Sequence, residues 1–182
     1  MYKTLIALCL LVFPLASYAD VKKERKEVLD ESKEILQRLY KEKPGTKAKI
    51  ANAAGYATFS NIGVNVIFIS AGGGSGVVHN NKTGKKTYMS MGTAGVGIGL
   101  GVKDFRAVFI FHEQDALESF IKSGWDFSGQ ADAAAKSGKK GAEGSAAGTI
   151  INGVSIYQMT ENGLALQATL QGTKYWKDKD LN

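Results

Sequence analysis

Six lysines in two groups are the side chains of this sequence best placed to do chemistry. Lys82, Lys85 and Lys86 lie in and just after the polar stretch Asn80-Asn-Lys-Thr-Gly84, while Lys136, Lys139 and Lys140 lie in an Ala/Gly-rich stretch. Both stretches read as loops, where flexible ammonium groups pair with phosphate as point charges without the fixed geometry of an arginine fork. Each is worth about 1 kcal/mol near an anionic surface, so three together predict weak, salt-sensitive association with phospholipid headgroups. The competing reading is ordinary solubilising loop charge, and the sequence leaves both open.

Other chemistries lack their residues. Gly72-Gly-Gly-Ser-Gly76 offers backbone N–H groups that suit a phosphate nest, but no Gly-Lys-Ser/Thr follows at P-loop spacing, and Gly84-Lys-Lys-Thr87 lacks the upstream glycine. A bulge or tight strand bend is the simpler expectation for the cluster. His79 and His112 are the only histidines; His112-Glu113 lacks the second histidine of a zinc-protease helix, and no serine sits in a Gly-x-Ser-x-Gly elbow. No catalytic residue, metal ligand or cofactor is therefore predicted.

The elements that must carry these residues begin after a secretory signal. Lys3 precedes the apolar run Thr4–Leu15, and Ala16-Ser-Tyr-Ala19 follows with small residues where a signal peptidase reads, so cleavage is expected after Ala19. Residues 1–19 are read as signal peptide and 20–182 as one domain, with an N-terminal helix over 20–45 and an α+β core over 46–182. Cys9, the only cysteine, goes with the signal, which excludes disulfides and thiolate chemistry from the mature chain. Cleavage also removes one lysine and leaves a net charge of +5. Export to a periplasmic or similar compartment, free or peripheral to the membrane, argues against nucleic acid as a partner and leaves anionic phospholipid or an envelope protein.

Val28, Leu29, Ile35, Leu36, Leu39 and Tyr40 form an apolar stripe at helical spacing over residues 21–42. The charges of the other faces have both signs, which suits a helix docked on a sheet better than one lying on a membrane. Pro44-Gly45 ends it, and Thr46 is expected to cap a short helix reaching about Ala54. From Tyr56 to Phe111 the pattern is mostly β: Val64–Ile69, the glycine cluster, the hairpin loop 80–84, Thr87–Met91, the alternating run Gly95–Gly101, and the apolar Arg106–Phe111, typical of a central strand. Twelve of the twenty-two glycines fall between Gly55 and Gly101, so a strongly curved sheet face closely approached by a neighbour is expected. Glu113, Asp115, Leu117, Phe120 and Ile121 predict a helix ending near Gly124. Residues 131–148 carry almost no bulky apolar side chain and predict an irregular segment. Val154–Tyr157, a turn at Asn162-Gly163, and Leu164–Leu170 predict a final hairpin.

In this order and spacing the chain resembles the SYLF family. The resemblance rests on Ala53-Ala-Gly-Tyr-Ala-Thr-Phe59, the cluster Gly72–Gly76, Gly95–Gly101, the passage Ala107–Phe120, Gly129-Gln-Ala-Asp132, Ile156-Tyr157, Asn162-Gly-Leu-Ala165 and Leu170-Gln-Gly172. It implies an α+β domain with a largely antiparallel, strongly curved glycine-rich sheet, an N-terminal helix and short helices packed on it. It further implies a role in binding phospholipid headgroups and no catalytic centre. The proline usual after the aromatic near Phe59 is absent, and phosphoinositide specificity and actin binding are not carried over to an exported chain.

Overall fold

The computed structural model describes residues 13–66, 69–96, 105–126, 149–151, 153–160, 163–164 and 173–182. Residues 131–148, and with them Lys136, Lys139 and Lys140, lie outside the described residues, as do 97–104 and 165–170.

The apolar stripe does form a helix. Helix α1 runs Phe13–Glu42 among the described residues, so the chain is already helical ahead of the stretch 21–42 that the periodicity predicts, and Val28, Ile35 and Leu39 are buried. Its exposed faces carry the ion pairs Lys26–Asp30, Lys33–Asp30 and Arg38–Glu42. Helix α2 covers Thr46–Asn52, two residues shorter than expected. Thr46 is not its cap: Gly45 holds that position without a side-chain bond, and the Thr46 hydroxyl donates to the Lys43 carbonyl at 2.7 Å. Among the described residues no helix is long and apolar enough to cross a membrane.

Among the described residues nine strands make one sheet, β1 Gly55–Val66, β2 Ile69–Asn80, β3 Lys86–Val96, β4 Phe105–Phe111, β5 Trp125–Asp126, β6 Thr149–Ile151, β7 Val154–Thr160, β8 Gly163–Leu164 and β9 Thr173–Lys177. The order is β5-β9-β3-β2-β1-β4-β7-β6, with β8 on β7, and every pairing is antiparallel. Short sequence links make this the economical arrangement. The expected curled, glycine-bearing α+β sheet is what forms. Helix α3, Gln114–Ser123, carries Asp115 in its first turn as the dipole favours, and Gly124 ends it at φ 66°.

Three expectations change in detail. The glycine cluster is not a bulge: Gly72, Gly73, Gly74 and Gly76 sit in an unbroken ladder between β1 and β3. Glycine is needed there because β1 comes close. A Cβ on Gly74 would run into the Ser60 carbonyl, and one on Gly76 into the Phe59 ring and the Thr58 carbonyl. Gly95 and Val96 are not a separate strand but the end of β3, paired with Ser70 and Ile69. Gly163 is a strand residue opposite Thr160 rather than half of a turn.

The alternation of each strand sorts its side chains onto two covered faces. On one, Ala57, Phe59, Val78, Met89, Met91, Ala107, Phe109, Phe111, Ile156 and Tyr175 pack under Leu117 and Phe120 of α3. On the other, Val108, Ile110, Tyr157 and Met159 meet Ile35 and Leu39 of α1 with Ile50 of α2. Val77 and Tyr88 meet Val28 and the C-terminal Leu181 beside them. β4 is thus buried from both sides, which is why its sequence reads as a continuous apolar run. α1 is tied at two points, by Thr58 Oγ1 donating to Ser32 Oγ at 2.7 Å and by Arg25 Nε donating to the Leu181 carbonyl at 2.8 Å.

Candidate functional site

The hairpin between β2 and β3 forms where expected, and local hydrogen bonds fix its turn. Gly84 takes φ 69°, the left-handed conformation that favours glycine, and its N–H donates to the Asn80 carbonyl at 2.8 Å. Asn80 Oδ1 accepts from the Thr83 N–H at 3.0 Å, and Thr83 Oγ1 from the Lys85 N–H at 3.2 Å. These are the local side-chain bonds by which Asn and Thr stabilise turns.

Asn81 then fixes the loop to the rest of the molecule. Its Nδ2 donates to the Ile50 carbonyl at 2.7 Å and the Ala53 carbonyl at 3.0 Å, and its backbone N–H to the Ala54 carbonyl at 3.0 Å. The last carbonyls of a helix have no partner within it, so the loop satisfies the C-terminus of α2 while α2 holds the loop. The consequence is electrostatic. Lys82, Lys85 and Lys86 are brought to the same end of the sheet as Lys47 and Lys49 of α2, and all five are exposed. Lys49 Nζ donates to the Tyr157 hydroxyl at 3.4 Å. Lys47, Lys82, Lys85 and Lys86 enter none of the ion pairs found among the described residues. Lys47 and Lys49 were not singled out from sequence, because only the docking of α2 on the hairpin places them there.

Beneath this rim, His79 lies flat on Tyr56, with ring centroids 4.6 Å apart and planes 8° from parallel, and is paired across the ladder with Lys86. Its Nε2 is buried without a hydrogen-bond partner. Burial first, and the Lys86 charge second, hold the imidazole down to about 4. The unfolded chain therefore takes up this proton near pH 6.5 while the folded one resists it. Stability is accordingly full above about pH 6.5 and falls as pH drops toward 4. Comparing urea midpoints at pH 7.5 and 4.5, His79→Phe, which keeps the stack, is expected to lose less stability on acidification than the wild type. His112, expected as a polar residue at the entry to its helix, is exposed there, and its Nε2 lies 2.8 Å from Ser155 Oγ.

The C-terminal half carries the remaining evidence of kinship. A family model described as Las17-binding protein actin regulator, Ysc84, matches residues 92–182, from the end of β3 through β4, α3, β7 and β9 to the C-terminus. The chain belongs to the Ysc84 (SYLF) family. It is also 38% identical over 146 residues to Beta cell expansion factor A of Aeromonas veronii, a match covering 80% of this chain and 54% of that protein. The chain thus spans about half the length of that relative. SYLF membership supports a non-enzymatic binding module. The lysine hairpin lies N-terminal to the stretch matched by the family model, so its role rests on its own geometry.

Proposed function

We propose that this SYLF domain binds anionic phospholipid surfaces through the lysine rim made by the β2–β3 hairpin and α2. The observation that carries the reading is the docking of Asn81, which holds together exposed lysines from two elements that enter no ion pair among the described residues. Ammonium groups next to an anionic surface gain about 1 kcal/mol each and lose it with salt. Lys136, Lys139 and Lys140 belong to the same proposal on sequence grounds alone. Binding is the whole of the proposed activity, with no catalytic step.

We further propose that the chain is exported and cleaved after Ala19. Such a cut would leave the described core contacts of α1 intact, since among the described side chains the first packed against the core is Val21. A second reading, docking on an envelope protein, is favoured by Trp176, a large apolar side chain left 42% exposed on β9.

Sedimentation with phosphatidylglycerol and with phosphatidylcholine vesicles, at low and high salt, separates the two readings. Headgroup attraction predicts binding to the anionic vesicles only, weakened by salt, by a chain whose mass is that of residues 20–182. Absence of binding to anionic vesicles at low salt would overturn the lipid reading and favour the protein partner, and a mass retaining residues 1–19 would overturn export.

A further inference from the structure

The two halves of α1 are held in different ways. Ile35 and Leu39 of the second half cluster with Val108, Ile110, Tyr157 and Met159, all at most 2% exposed, and Ser32 accepts a hydrogen bond from Thr58. The first half meets a smaller group, Val77 of β2, Tyr88 of β3 and Leu181, through Val28 with Val21 and Leu29 beside it. Among the described residues, the side-chain hydrogen bond that joins this half to the rest of the molecule is Arg25 Nε to the Leu181 carbonyl at 2.8 Å. The same guanidinium stands 5.5 Å over the Tyr88 ring.

Leu181 is delivered by a segment tied to the edge of β3. Residues beyond the last strand of a domain fray unless they are tied down, and Asp178–Asn182 is tied down chiefly at Tyr88. The Asp178 N–H donates to the Tyr88 carbonyl at 3.1 Å, Asn182 Nδ2 donates to the same carbonyl at 2.8 Å, and the Tyr88 N–H donates to Asn182 Oδ1 at 3.1 Å. The Asn182 carboxamide thus completes the edge of β3 as a strand residue would. The Asp178 carboxylate closes the turn, accepting from the Asp180 and Leu181 N–H groups at 2.9 and 2.8 Å and from Ser90 Oγ.

Tyr88 is therefore both the seat of this segment and part of the floor under α1. Lifting the segment removes Leu181 from the apolar group and breaks the Arg25 bond in one step, while the second half of α1 keeps its contacts. Parts of a structure with few buried apolar contacts are the ones that open locally. The surface so uncovered has a defined place. Val77 and Tyr88 are opposite each other, and His79 and Lys86 are the next opposed pair on the same face, roughly 7 Å along the strands. We propose that Asp178–Asn182 is a releasable clasp. Seated, it holds the first half of α1 over Val77 and Tyr88; lifted, it frees residues 21–29 and opens an apolar strip beside the lysine rim. The clasp stands without the lipid reading, whereas its use, adding apolar contact to headgroup attraction, rests on that reading.

Hydrogen exchange on the full chain tests the clasp, with Arg25→Met and Asn182→Ala as variants. Each removes one tie and leaves the packing of the second half of α1 untouched. In either variant the amides of residues 21–29 are expected to exchange about tenfold faster or more, and those of 35–42 at the wild-type rate. Nile red, a neutral dye, is expected to bind the variants more strongly. Unchanged exchange at 21–29, or equal acceleration in both halves of α1, would overturn the clasp, and one variant suffices should the other fail to fold. On phosphatidylglycerol vesicles both variants are expected to stay bound at a salt concentration that releases the wild type. Release of variants and wild type at the same salt would overturn the membrane use of the clasp. Failure of the wild type to bind at low salt would instead overturn the lipid reading, and the exchange result would still decide the clasp.

Discussion

Replacing Phe59 by alanine is expected to lower the unfolding free energy by about 3–5 kcal/mol, enough to leave a domain of ordinary stability largely unfolded at physiological temperature. The ring is fully buried and joins three elements. It meets Phe109 of β4 at 5.4 Å, Phe120 of α3 at 6.1 Å edge-on and Tyr175 of β9 at 4.6 Å. Edge-to-face rings add to area burial, and the strand and helix backbones on either side cannot collapse into the space. Urea midpoints measure the effect. A loss under 1 kcal/mol would mean that this cluster is not the main core. Trp176→Ala, which removes a half-exposed ring, is the control and should cost far less.

Gly76→Val is expected to be nearly as damaging, at about 3 kcal/mol or more, by overpacking instead of by a cavity. The added Cβ has no free direction, since it meets the Phe59 ring and the Thr58 carbonyl together. The ring is locked among its aromatic neighbours, and the carbonyl belongs to a strand paired on both sides. Gly73→Val is the contrast, because a Cβ there meets nothing within 4 Å. Equal midpoints for the two variants would show that β1 and β2 yield more readily than their ladder suggests.

These two positions also show where sequence reasoning reaches and where it stops. β4 and α3 were legible because each carries its own signal: five consecutive buried residues from Ala107 to Phe111, and acids, apolar spacing and Gly124 around Gln114–Ser123. The glycine cluster was legible as a demand for closeness but not as a ladder. The reason for glycine at position 76 is a ring seventeen residues earlier on another strand. β9 and the contacts of Tyr175 left no local pattern, since their partners are far along the chain. The hairpin lysines were visible from composition and turn chemistry. The contribution of α2 was not, because it depends on three hydrogen bonds from Asn81.

The lysine rim itself is tested most directly by the Lys82/Lys85/Lys86→Ala variant in sedimentation with phosphatidylglycerol vesicles at low salt. All three side chains are exposed, so the fold should be untouched and the thermal midpoint unchanged. Loss of about 1 kcal/mol per lysine predicts binding weaker by roughly 100-fold. Binding equal to that of the wild type, by a variant with the wild-type midpoint, would contradict the assignment of the anionic surface to this end of the sheet.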